Sequence, residues 1–142
     1  MDYNDSGEQH AQCLAEAENC RKNSVYLKAM ASKRTATSET GFLAAASLFD
    51  EIIDYNDAGE QRALCLTEAE NCRKNVIYNK ALGLMGYSNS ETSLSQAMDE
   101  FKKIPGWRDS DNKIAECRSK LNKLRFAKEM AEQEAEKEKK KK

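Results

Sequence analysis

"EAENCRKN" runs from Glu16 to Asn23 and recurs, letter for letter, from Glu68 to Asn75. The shift is 68 − 16 = 52 residues in a chain of 142. Self-similarity at a fixed step is read before any motif, because it sets the architecture. The step holds outward in both directions. Asp2-Tyr3-Asn4-Asp5 matches Asp54-Tyr55-Asn56-Asp57, and Gly106-Trp107-Arg108-Asp109 follows one step later. Cys13, Cys65 and Cys117 keep the step, as do Tyr26 and Tyr78, Ala29 and Ala81, Ala45 and Ala97, Phe49 and Phe101, and Ile52 and Ile104. The units read as residues 2–53, 54–105 and a partial 106–125, one repeat domain over 1–125. A charged tail, helical or disordered, takes up 126–142.

Within a unit the period is helical. Leu14, Ala17, Cys20, Leu27 and Met30 recur at steps of three, four or seven, which places them along one side of a helix. That predicts a long helix from about Ser6 to Ala31. Its second copy runs from about Ala58 to Met85, with Leu66, Ala69, Cys72, Tyr78, Ala81 and Leu82 as the buried stripe. The polar linkers "SKRTATSET" and "GYSNSET" carry turn-forming and N-capping residues. Shorter helices are predicted over Glu39–Ile53 and Glu91–Ile104, with Leu43, Ala46, Leu48, Phe49 and Ile52 facing inward. The third copy keeps only its long helix, with a narrow seam of Ile114, Cys117, Leu121 and Leu124. After Phe126 apolar residues thin out, and "EQEAEKEKKKK" predicts a fraying end. The chain opens on the turn that elsewhere follows a short helix, so it is expected to be a piece of a longer repeat protein.

Composition agrees with thin helices that each bury one stripe: 33% charged residues, 39% hydrophobic, and a single Pro. Formal net charge is −1, so no global field recruits nucleic acid. No apolar run reaches the roughly 20 residues that span a bilayer. Five cysteines, an odd number and without a CxxC pair, predict reduced thiols and a cytoplasmic protein. Cys13 and Cys20, like Cys65 and Cys72, are seven apart on one helix side. About 10.5 Å of rise separates them, too far for a disulfide or a shared zinc, so the thiols are expected to act as small buried hydrophobes.

"DYNDSGE", Asp2 to Glu8, sets Asp2, Asn4, Ser6 and Gly7 at the first, third, fifth and sixth places of a calcium loop. The twelfth place needs a bidentate Glu and holds Cys13, or Cys65 in the second copy. The fifth ligand becomes Ala58, and the first becomes Gly106 in the third copy. The stretch is therefore read as the inter-repeat turn. Asp5-x-x-Glu8 and Asp57-x-x-Glu60 fit a capping box, Asp109-Ser110 repeats the cap, and Tyr3, Tyr55 and Trp107 lie under it. His10, the only histidine, becomes Arg62 one step on, which predicts an exposed position and speaks against His-dependent catalysis. No catalytic, cofactor or metal residues are assigned, and no binding residue is singled out.

Ala45-x3-Phe49-x2-Ile52 and Ala97-x3-Phe101-x2-Ile104 resemble the second-helix signature of tetratricopeptide repeats, and Tyr26-x2-Ala29 and Tyr78-x2-Ala81 look like the first-helix contacts. The fuller string at Ala97–Ser110, followed by Ile114 and Cys117, is similar to divergent tetratricopeptide-like repeats of bacterial proteins. The likeness covers about residues 2–125 and departs in period, 52 against the usual ~34. It implies an all-α solenoid of two helix hairpins plus a C-terminal capping helix. It also implies a non-catalytic module for protein–protein interaction or spacing, with a protein or peptide partner and no cofactor. The chain is expected to be monomeric, and the exposed side of the long helices is the first place to look for the partner. The alternative is an electrostatic membrane-surface or nucleic-acid adaptor working through Lys137–Lys142. Interleaved Glu134, Glu136 and Glu138 weaken that field, and no aromatic platform accompanies it.

Overall fold

The computed structural model describes residues 3–87 and 90–141, and for residues 3–5 the backbone only. Among the described residues it is all-helical. Long and short helices alternate: α1 Tyr3–Thr35, α2 Glu39–Asp50, α3 Ala58–Tyr87, α4 Glu91–Lys102 and α5 Ser110–Lys141. The short helices begin where the linker supplies a cap. The Ser38 hydroxyl accepts from the Gly41 N–H at 3.2 Å, and the Ser90 hydroxyl from the Ser93 N–H at 3.1 Å.

The chain divides into two compact units, residues 1–73 and 74–142, and the division falls inside α3. A unit is therefore offset from the repeat by half a long helix. The first unit holds all of α1, α2 and the first half of α3, and the second the rest of α3, α4 and all of α5. In the first unit Ala29, Ala45, Ala46, Phe49, Ile52, Ala58 and Cys65 form the core, flanked by Val25, Tyr26, Met30, Leu48 and Tyr55. In the second, Tyr78, Ala81, Leu94, Ala97, Phe101, Ile104, Cys117 and Leu121 do so, with Met85 from α3. Phe49 and Phe101 are each 0% exposed, so the aromatic of each short helix anchors its unit. Alanine at 29 and 45, and at 81 and 97, lets the helix axes approach closely enough to enclose that ring.

Several sequence expectations change. α1 begins at Tyr3 rather than Ser6, so residues 3–5 are helical and not a turn. Asp2 and the side chains of Tyr3 and Asp5 lie outside the described residues. Of the expected α1 stripe, Leu14, Ala17, Cys20 and Leu27 are exposed and Met30 is half-buried. Leu27 stands two residues, about 200° of helix turn, from Ala29, which faces the core. Leu43 and Leu66 are also exposed and, with Ala46, Ser47, Asp50 and Arg62, line a shallow groove of about 330 Å3 between α2 and α3. The third seam is as expected: Cys117 and Leu121 are buried, Ile114 and Leu124 half-buried. Beyond it, Arg125–Lys141 is exposed helix to its end, where fraying was expected.

Candidate functional site

Two features gather the chain's polar and reactive groups: the turn that leads into each long helix, and the face that each long helix presents near its start.

The turns are near-copies. The Tyr55 N–H donates to the Ile52 carbonyl at 2.8 Å, and the Ala58 N–H to the Tyr55 carbonyl at 3.0 Å. One step on, Trp107 donates to Ile104 at 3.1 Å and Ser110 to Trp107 at 3.0 Å. Asn56 and Arg108 close the turns in the left-handed region, at φ 48° and 50°. Gly106 adds a third positive φ, 74°, after Pro105, a conformation that glycine adopts without steric cost. The Asp57 and Asp109 carbonyls then accept the first helical N–H groups, from Gln61 and Lys113, both at 2.9 Å. These backbone bonds are those of an N-cap.

The aspartate side chains do something the capping-box reading missed. Asp57 Oδ1 accepts from the Tyr26 hydroxyl at 2.6 Å, and Oδ2 from the Gln61 amide at 3.0 Å. Gln61 Oε1 in turn accepts from Lys33 Nζ at 2.6 Å. Asp109 Oδ1 accepts from the Tyr78 hydroxyl at 2.5 Å. The carboxylate thus ties the start of one long helix to the preceding long helix, while Glu60 points to solvent. The partner was legible only as an unexplained repeat: tyrosine and aspartate recur together, 31 residues apart, in both units.

These hydrogen bonds shift the proton affinities of Asp57, Tyr26 and Tyr78. The Tyr26 hydrogen bond, then the Gln61 amide and the Lys33 charge, hold the Asp57 carboxyl below its ordinary range. The same bond to Asp57, with desolvation, raises the Tyr26 phenol, and the bond to Asp109 raises the Tyr78 phenol. The two shifts run in opposite directions, as expected for a neutral phenol donating to an ionised carboxylate. Tyr26 also sets its ring edge-on to Phe49 at 6.0 Å, as Tyr78 does to Phe101 at 5.8 Å. Among the described residues, no group of three or more His, Cys, Asp or Glu is arranged to hold a metal ion.

The second feature is a helix face. On α3, Ala58, Cys65 and Ala69 are buried and Cys72 half-buried. On α5, one step later, Ser110, Cys117 and Leu121 are buried and Leu124 half-buried. The corresponding residues of α1, Ser6, Cys13, Ala17 and Cys20, are all exposed, and Leu14 beside them is 60% exposed. The expectation of buried thiols therefore holds for Cys65 and Cys117 and fails for Cys13 and Cys20, since all five are free and these two face solvent. Burial raises the thiol pKa of Cys65 and of Cys117. His10 is exposed on this same face.

Other exposed apolar side chains are spread along the long helices: Leu27 on α1, Leu64 and Val76 on α3, Phe126 and Met130 on α5. Singly placed, such residues are ordinary surface. No described helix is long and apolar enough to cross a membrane. A comparison of the chain with protein-family models, curated proteins and solved structures finds no match in any of the three.

Proposed function

We propose that this chain is a non-catalytic protein–protein interaction module, built as a tetratricopeptide-like solenoid of two helix hairpins and a closing helix. The observation that carries the reading is the α1 face from Ser6 to Cys20. It has the composition of two faces that the same chain buries against neighbouring helices, yet it is itself exposed. A surface composed for burial is one on which another polypeptide segment packs. The solenoid reading is supported by the residues of the tetratricopeptide-like signature. Ala45 and Phe49 in α2, Ala97 and Phe101 in α4, and Ile52 and Ile104 just beyond those helices are all buried.

The test is site-specific photo-crosslinking of the full chain in the cells that make it. A photoreactive residue at Leu14 is expected to yield a discrete polypeptide adduct, and one at Glu132 on the exposed end of α5 none. The same empty pattern from both positions would overturn the proposal.

A further inference from the structure

We infer that the outward face of α5 between Arg118 and Lys128 binds single-stranded nucleic acid, with phosphates on its cations and a base stacked on Phe126. This surface is separate from the α1 face and stands or falls independently of the interaction-module reading.

The stretch departs from its own repeats in one direction. "CRSKLNKLRFAK", residues 117–128, holds Arg118, Lys120, Lys123, Arg125 and Lys128 and no acidic residue. One step earlier, "CLTEAENCRKNV" balances Glu68 and Glu70 against Arg73 and Lys74, and two steps earlier Glu16 and Glu18 balance Arg21 and Lys22. Leu66 becomes Arg118, Glu68 becomes Lys120, Asn71 becomes Lys123 and Val76 becomes Lys128. Packing does not require these changes, since Cys117 and Leu121 keep the buried seam on another side of the helix. The exposure belongs to the repeat itself: Leu66, Thr67 and Glu70 on α3, midway along the chain, are exposed just as Arg118, Ser119 and Asn122 are on α5. The chain's net charge is −1. Charges in water act within a Debye length of about 8 Å, so an acid-free run of cations presents its own local field.

Ala115, Arg118, Ser119, Asn122, Lys123 and Phe126 line an open concavity of about 580 Å3 on this face. Arg118 and Arg125 lie two turns apart on one flank, about 10.5 Å of rise, and Lys123 lies about 140° round the helix from Arg118 on the other. Phe126, 65% exposed, stands between the flanks. Lys120 leans on Glu116 at 3.8 Å and Arg125 on Glu91 at 3.9 Å, while Arg118, Lys123 and Lys128 make no ion pair among the described residues. The cations alone would suit any polyanion, and what lies between them selects among polyanions. A helix that lies on a lipid surface carries a broad apolar stripe there, and this one carries Ser119 and Asn122. An exposed ring set among cations and hydrogen-bonding side chains is a stacking platform for an unpaired base, with Arg118 and Lys123 placed for the phosphates on either side. A duplex keeps its bases stacked on one another, and an acidic polypeptide has none, so either would leave the Phe126 ring unused.

The test is fluorescence anisotropy of the full chain with a labelled oligo(dT) of about twelve nucleotides. Binding is expected with a Kd of roughly 100 μM or tighter, weakening with salt at a log–log slope of about 2–3, as three or four phosphate contacts give. Arg118→Gln combined with Lys123→Gln should weaken binding and reduce that slope by about 1.4. Phe126→Ala should weaken binding about tenfold at an unchanged slope, and Phe126→Tyr should retain it. Circular dichroism checks that each variant keeps its helix content. A Kd above about 1 mM overturns the inference, since nothing would then be held. Binding that survives the Arg118 and Lys123 substitutions and is lost when Lys137–Lys142 are replaced by glutamine overturns it, because the strand would then sit on the tail. Indifference to Phe126→Ala overturns it too. So does equal binding of duplex DNA, polyglutamate or phosphatidylserine vesicles, which would make the face a general polyanion surface.

Discussion

The two units answer the same packing problem with unequal polar fittings. In the first, Asp57 accepts from both Tyr26 and Gln61, and the Tyr55 hydroxyl donates to Asn23 Oδ1 at 3.2 Å. The second puts Trp107 in place of Tyr55 and Asn75 in place of Asn23. There Trp107 Nε1 and Asn75 Oδ1 are both buried without a hydrogen-bond partner. It also puts Ser110 where the first has Ala58, and the buried Ser110 Oγ is likewise unpartnered. What the second unit gains is cationic: Lys74 Nζ lies 5.2 Å over the Trp107 ring, and Arg108 lies 5.5 Å over the Tyr78 ring. Apolar contacts tolerate such exchange because they are not directional. Hydrogen bonds do not, so one altered partner strands the other.

The largest effect tests the shared part. Phe49→Ala and Phe101→Ala should each cost about 3–5 kcal/mol of unfolding free energy, measured by urea denaturation. Trp107, the only tryptophan, lies in the second unit. Its fluorescence transition should therefore shift more for Phe101→Ala than for Phe49→Ala. Equal shifts would mean that α3, which runs through both units, makes the whole chain unfold as one.

The next pair exchanges the polar fittings. Ala58→Ser should destabilise by about 1–3 kcal/mol, because it places an unpartnered hydroxyl in a fully buried site. Ser110→Ala should stabilise by about 1 kcal/mol for the converse reason. If Ser110→Ala instead destabilises, its hydroxyl has a role in the turn that the comparison overlooks.

Smaller again is the backbone exchange. Arg108 holds a left-handed conformation that suits asparagine better than arginine. Arg108→Gly relieves that strain and loses the contact over Tyr78, each about 1 kcal/mol or less. Thermal melts should show a Tm change of only a few degrees, and Asn56→Gly less still.

The pH dependence is the finest comparison. The Asp57 carboxyl titrates below its ordinary 3.8, so its contribution is present above that value and is lost as pH falls through the lowered one. Asp57→Asn should flatten the acid side of the stability curve. Tyr26 and Tyr78 titrate above their ordinary 10.0. Their contribution is complete below that value and is lost as pH rises through the raised ones, so Tyr26→Phe and Tyr78→Phe should flatten the alkaline side. Ultraviolet titration should show two late phenols in the parent chain and one in each variant.

The 52-residue step and its three-and-four spacing, read along the chain alone, determine that the protein is helical, where long and short helices alternate, and that Phe49, Phe101 and the paired alanines are core. Those features depend on period and side-chain size, which are local properties of a helix. Tertiary structure decides which of several equivalent stripes is covered. "EAENCRKN" is one string, yet Ala17 and Cys20 in its first copy are exposed, while Ala69 is buried and Cys72 half-buried in its second. Among the described residues, only the second has a short helix laid upon it. Tertiary structure also decides that Asp57 bonds Tyr26 instead of closing a cap with Glu60. That bond joins residues 31 apart, and a carboxylate takes whichever donor the packed helices bring to it. A helix fixes which residues share a face, and burial of that face depends on what lies across from it.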